Sequence, residues 1–217
     1  MPALAVAEQL VDRGAEVTFA GAPDRVEATL VPAAGYPFDP FRVAGLERRP
    51  SLALLRAVAL DAAAPAACIR ILRRRRPDAV LGAGGFVAGP MVAAARAMRI
   101  PAVLTESDSH LGLANRAAAP LVRRVFLAYP IEGRNGSRYE VVGRPVARRF
   151  FEVERASARA RLGLDDGVFV LAVFGAMAGA RRINEACARA FGAGQLDGVV
   201  IHLSGTRDLE LVREQVT

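Results

Sequence analysis

The chain contains no lysine: all 29 basic residues are arginine, against 22 acidic ones, for a net charge of +7 over 217 residues. Without lysine no Walker-type phosphate loop is possible, because its ammonium group is part of that motif. Cysteine is almost missing too. Cys68 and Cys187 lie far apart with no Cys or His at a metal-ligand spacing, which argues against a disulfide framework and against a zinc site. Reduced, buried thiols are expected. Arg, Asp or Pro interrupts every apolar stretch well short of the ~20 residues that a bilayer span requires. No cleavable signal precedes the first helical pattern, so a cytoplasmic location is expected. Disorder does not fit a hydrophobic content of 53%, which suits one large domain, or one domain and part of a second.

The positive charge suits an anionic partner, and its placement says more than its size. The stretch "IRILRRRRP" at 69–77 sets five arginines among apolar residues, with "LALLRAVAL" just upstream at 52–60. Nucleic-acid surfaces interleave such charge with aromatic or polar base-reading groups, and this stretch has none, so no nucleic-acid partner is expected. Two readings stay open for Arg73, Arg74, Arg75 and Arg76: a solvated helix end, or attachment to an anionic membrane surface, where basic and apolar groups are both accommodated.

Helical and extended patterns alternate along the chain. "ALAVAEQLVDRG" has helical spacing and stops at Gly14; "EVTFA" reads as a strand; "DRVEATLVPAAG" opens on Asp24 as a cap and closes at Gly35. Compact apolar runs at 78–82, 101–105, 124–128 and 139–143 read as strands, with a helix over 89–98 between the first two. This is the periodicity of a mostly parallel sheet covered by helices. A second cycle starts near Val168 as strand, glycine turn and long helix, and "GVVIHLSGTRDLELVREQ" repeats that order. Residues 151–166 are expected to hold a helix and the passage between two similar domains. The first domain begins on a helix without its opening strand, which in a doubly wound sheet is usually central. The second stops after two βα units, so a fragment is expected.

Glycine turns after parallel strands are where such folds take ligands, since helix N-termini present free N–H groups to phosphates. Two fit: Gly82 to Phe86 in "LGAGGFVAGP", and Phe174 to Ala180 in "FGAMAGA". Gly175 and Gly179 lack the spacing of a full dinucleotide fingerprint, and tight strand–helix packing explains either loop as readily as a ligand does. A third stretch, "TESDSHLGLANR" at 105–116, gathers Glu106, Asp108, His110 and Asn115. Capping accounts for Ser107 and Asp108. Glu106 and Asn115 suit sugar hydroxyls, and His110 is a candidate base.

The segments "PALAVAEQL", "LVPAAGYP", "DAVLGAGGFVAGP", "IPAVLTESDSHLGLANR", "VVGRPV" and "FGAMAGARRIN" together resemble, in order, segments of the MurG family, the UDP-N-acetylglucosamine transferases of peptidoglycan synthesis. The resemblance implies an α/β fold of the GT-B type, with two Rossmann-like domains built on parallel sheets. Residues 1–147 would be an acceptor-binding domain truncated at its start, and 148–217 the beginning of a donor-binding domain. It implies an inverting transferase, independent of metal and cofactor, that moves N-acetylglucosamine from UDP-N-acetylglucosamine to the undecaprenyl-linked muramoyl-pentapeptide lipid I, giving lipid II. The place of action would be the cytoplasmic face of the inner membrane, as a peripheral protein.

By the same resemblance Gly82, Gly84, Gly85 and Glu106 belong to acceptor binding, and Asn115, Gly175, Met177, Gly179, Ala180, Arg181 and Asn184 to donor binding. Arg73 to Arg76 fall where the family has its membrane-associating surface. The chain departs from the family pattern at Thr105 and Asp108, at Met177 in place of a serine, and at Ala147 in place of an arginine, with Arg148 next to it. The histidine proposed as the family's general base lies in a "GGH-x-x-P" motif whose proline is Pro2, so no catalytic residue is identified within the chain. Losing a general base typically costs ~10²- to 10⁴-fold, and turnover by this chain alone is not expected. Two alternatives are a noncatalytic remnant that binds anionic lipid or polyprenyl pyrophosphate, and a sugar-nucleotide epimerase of the same architecture, which would rest on fold alone.

Overall fold

The computed structural model describes residues 2–43, 52–175, 179–192, 194 and 196–216. They form two compact units, Met1–Phe151 and Glu152–Thr217. The first runs α1 (Pro2–Val11), β1 (Phe19–Gly21), α2 (Glu27–Ala33), β2 (Phe38–Pro40), α3 (Leu52–Arg75), β3 (Val80–Gly82), α4 (Ala88–Ala97), β4 (Ala102–Glu106), α5 (Leu113–Ala118), β5 (Arg124–Leu127) and β6 (Tyr139–Val141). A short helix, α6 (Arg149–Glu152), spans the boundary. The second unit runs α7 (Arg155–Arg161), β7 (Val170–Phe174), α8 (Arg181–Phe191), β8 (Val199–Leu203) and α9 (Leu209–Val216).

Among the described residues every strand pairing is parallel, as α/β periodicity requires. In the first unit β3, β4, β5 and β6 make one sheet and β1 and β2 a separate pair; in the second, β7 pairs with β8. Among the described residues no strand hydrogen-bonds to both β1 and β3. The first unit's core is made where the apolar strands meet α3 and α4: Leu104, Val125, Leu127, Val92 and Cys68 have no exposed surface. Short strands buried on both faces need no polar alternation, which is why their sequences read as continuous apolar runs.

Local differences from the sequence reading have local causes. Asp24 does not cap α2; the N-cap is Val26, and the helix is entered through a turn in which Ala28 N–H donates to the Arg25 carbonyl. The strand Phe38–Pro40 is too short to show a period in sequence. The helix expected within 151–166 is α7, and its Arg159 is buried, its guanidinium donating to the Asp165 and Val168 carbonyls.

Candidate functional site

The glycine loop after β3 serves two purposes. A Cβ on Gly82 would lie 2.6 Å from Leu104 Cδ2 and 3.3 Å from Ala88 Cβ, so this glycine lets β3 and α4 pack against β4. Gly84 and Gly85 differ: both take left-handed backbone, φ 86° and 74°, and a Cβ on either would meet nothing closer than 3.9 Å. They lead into α4, whose N-cap Val87 makes no side-chain capping bond. The first N–H groups of α4 are therefore left without a side-chain acceptor, the condition under which a helix end receives an anion.

The next loop, after β4, comes to the same place. A Cβ on Gly84 would sit 3.9 Å from Asn115 Nδ2. Asn115 is 2% exposed, and its amide donates to the Thr105 carbonyl at 3.1 Å and to Glu106 Oε2 at 2.9 Å. Glu106, itself buried, also accepts from the N–H groups of Asp108 (3.2 Å) and Gly112 (3.0 Å). Burial pushes its carboxyl pKa up, but the bonds from Gly112, Asn115, Asp108 and Ser107 outweigh it and hold the group below its ordinary value. Glu106 is thus an ionised anchor around which residues 106–112 wrap. Ser107 and Asp108 cap no helix, since α5 starts at Leu113 behind Gly112; Asp108, Ser109 and His110 stand exposed at the loop tip. Among the described residues Asn115 Oδ1 has no partner, although it is buried.

In the second unit, Met177 and its neighbours 176 and 178 lie outside the described residues. On either side of them, Gly175 packs within 2.5 Å of Ala180 Cβ, measured from where its own Cβ would be. Gly179, at φ 80°, lies against the Ser204 carbonyl, closer than any side chain allows. Ala180 is the N-cap of α8 and makes no side-chain capping bond, so α8, like α4, opens with N–H groups that no side chain caps. Arg181 is exposed and pairs with Glu185 at 3.0 Å. Asn184 has no exposed surface: its amide donates to the Ser204 carbonyl (2.9 Å) and Asp208 Oδ2 (3.0 Å), and its Oδ1 faces His202 Nε2 at 3.0 Å. His202, Ser204 and Asp208 were not singled out in the sequence. The one available signal was Asp208 immediately before a helical pattern, a capping position.

The arginine run divides. Arg74 and Arg75 pair with buried Asp39 of β2 at 2.5 Å and 2.7 Å, which ties the end of α3 to the β1–β2 pair. The Arg75 hydrogen bond, acting against burial and aided by both charges, holds Asp39 below the usual carboxylate range. Arg73 and Arg76 are exposed and make no ion pair among the described residues. Arg148, beside Ala147, is directed to α1: its N–H donates to Glu8 Oε2 at 3.3 Å and its guanidinium to Asp12. Both thiols are buried, and desolvation pushes Cys68 up to about 12. Among the described residues no helix is long and apolar enough to cross a membrane, and no cluster of His, Cys, Asp or Glu is placed to hold a metal ion.

Comparison with known proteins accounts for this layout. Residues 1–127 match the glycosyltransferase family 28 N-terminal domain. The chain is 43% identical over 206 residues to the UDP-N-acetylglucosamine–N-acetylmuramyl-(pentapeptide) pyrophosphoryl-undecaprenol N-acetylglucosamine transferase of Rubrobacter xylanophilus, covering 94% of this chain and 60% of that protein. It spans about three fifths of the length of the curated relatives it matches. The crystal structure of Acinetobacter baumannii MurG superposes with a TM-score of 0.67 at 24% identity, over 99% of this chain and 57% of that one. A UDP-GlcNAc 2-epimerase from Neisseria meningitidis, bound to UDP-GlcNAc, superposes with a TM-score of 0.56 at 12% identity, over 93% and 60%. The latter likeness is one of fold alone. The six-segment resemblance to the MurG family is borne out, as is the GT-B type of α/β fold, and the chain belongs to glycosyltransferase family 28.

Proposed function

We propose that the chain is the acceptor-binding domain and the start of the donor-binding domain of an inverting hexosyltransferase that transfers N-acetylglucosamine from UDP to lipid I, forming lipid II at the cytoplasmic face of the membrane. The observation that carries this reading is the convergence of two βα loops in the first unit, where open, left-handed Gly84 and Gly85 stand beside Asn115 and the uncapped start of α4. Bare N–H groups there suit the acceptor's pyrophosphate, and the exposed tip at Asp108, Ser109 and His110 suits the muramoyl hydroxyls. Gly175, Gly179, Ala180 and Arg181 offer the corresponding anion site for the UDP diphosphate at α8. Glu106 acts in acceptor binding by shaping its loop, since its oxygens are taken up by N–H groups, and Asn115 keeps only Oδ1 for a ligand.

Calorimetric titration of the chain with lipid I in mixed micelles tests the acceptor half. Wild type should bind, and Gly84→Val should weaken binding roughly tenfold or more, because a branched side chain at φ 86° closes the loop. Equal affinity in a folded Gly84→Val variant would reject the site. Membrane attachment is assigned to Arg73 and Arg76 rather than to the whole run. Sedimentation with anionic vesicles should fall for Arg73→Glu/Arg76→Glu and stay salt-sensitive; unchanged binding, or equal binding to neutral vesicles, would count against it.

A further inference from the structure

We propose that His202, Asn184 and Asp208 form a positioning relay that locks the entry of α8 to the loop after β8, so that Asn184 acts through these neighbours and never touches a ligand. This deepens the donor-site reading of α8 given above, on which its functional meaning rests.

The Ser204 carbonyl and the ionised Asp208 carboxylate can only accept, so the Asn184 atom facing both must be the amide nitrogen, and its two protons are then fully used. That orientation turns Oδ1 toward His202, where it too can only accept. His202 must therefore carry its proton on Nε2 and donate it across the 3.0 Å contact. Asp208 suits its place: burial raises its pKa, but the bonds from Arg207 and Asn184, with the charges of Arg207 and Arg181, hold it below the ordinary carboxylate value, so it stays an acceptor.

The relay's reach follows from where the members sit. Asn184 lies in the first turn of α8, with its own N–H bonded to the Ala180 carbonyl, so it is fixed to the helix entry. His202 is on β8, and Ser204 and Asp208 flank the loop that leads into α9. The Ser204 carbonyl that receives the Asn184 amide is also the atom pressed against Gly179. One carbonyl thus registers both the glycine before α8 and the helix itself. An amide whose donors and acceptor are already engaged has none left for a nucleotide, yet any shift in it moves the Gly179–Arg181 backbone that can reach one.

NMR on the isotopically labelled 217-residue chain tests this without any ligand. In wild type the long-range nitrogen–proton correlations of His202 should show the Nε2–H tautomer. In Asn184→Ala that preference should be lost, and the backbone amide of residue 184, which donates to the Ala180 carbonyl at the helix entry, should exchange roughly tenfold faster or more. If that variant does not fold, His202→Gln and His202→Leu replace it: glutamine keeps an N–H for Oδ1 and should retain amide protection, whereas leucine should lose it. A wild-type His202 protonated on Nδ1, or protection equal in the leucine and glutamine variants, would overturn the relay. Inorganic pyrophosphate titrated separately divides the two claims: no pyrophosphate response with the relay signatures intact rejects the anion site at α8 and leaves the relay, and the reverse pattern rejects the relay alone.

Discussion

Asn115 in the first unit and Asn184 in the second do the same thing with their amide protons, each giving one to a backbone carbonyl and one to a carboxylate, yet they end differently. Asn115 closes a local loop, with partners nine and ten residues away, and its Oδ1 is left unpaired among the described residues. Asn184 joins partners 18 to 24 residues away, across two βα loops, and His202 fills its last valence. A buried network with every member satisfied is rigid, and one with an orphan acceptor has a position still to be met. The contrast assigns the second asparagine to shape and leaves the first unit's loop as the place where a hydroxyl or water is still wanted.

The glycines give the largest test of that contrast. At Gly179 a methyl group meets the Ser204 carbonyl in left-handed backbone, so Gly179→Ala should cost about 3–5 kcal/mol, most of what a unit of this size has. At Gly84 the backbone is equally left-handed but a methyl would make only an ordinary contact, 3.9 Å from Asn115 Nδ2, and Gly84→Ala should cost only about 1–2 kcal/mol. Each unit carries one buried thiol, Cys68 in the first and Cys187 in the second, so alkylation followed by peptide mass mapping reads the opening of each separately. Gly179→Ala should expose Cys187 and spare Cys68; equal labelling of both would break the comparison.

The asparagines come next. Asn184→Ala orphans three partners and should cost about 2–3 kcal/mol, whereas Asn115→Ala leaves Glu106 its loop N–H bonds and should cost about 1–2 kcal/mol, both read from denaturant midpoints. A larger loss at Asn115 would reverse the assignment of rigid and adaptable sites.

Acid sharpens the same division. Glu106 is held below its ordinary pKa of 4.5 in the folded state, so its contribution is complete above that value and is lost as pH falls through the lower folded one. In Glu106→Gln the first unit should lose that part of its acid sensitivity, read as Cys68 labelling against pH; an unaltered profile would remove Glu106 as anchor. The smallest effect belongs to Asp39, whose partners are partly solvated. Asp39→Asn should cost about 1 kcal/mol and loosen α3 from β2, read as faster exchange of the Gly21 and Phe41 amides, with Asn184 and its neighbours unchanged.

Much of the fold was legible along the chain because parallel strands buried on both faces must be apolar runs and their helices must fill the crossovers. Gly14 and Gly35 ended helices as read, both at positive φ. Asp24 was misread because a residue that can cap need not, when backbone turns satisfy the same N–H groups. The arginine run was legible as charge and not as structure: nothing near 73–76 in sequence announces Asp39, 35 and 36 residues upstream, as the partner of two of its members.

By itself the amino-acid sequence determined the order of strands and helices, the two glycine turns at strand ends, the buried thiols and the membership in a transferase family, since each is written in local pattern or ordered motif. Only the tertiary structure decided which polar groups keep an unmet valence and which face each other. Gly82 and Gly84, two residues apart, part ways as packing and opening, and Asn184 turns inward with His202 and Asp208. The reason is that a side chain's polarity is local while its burial and its partners are set by elements far along the chain, and an interior without water forces every donor to find an acceptor there.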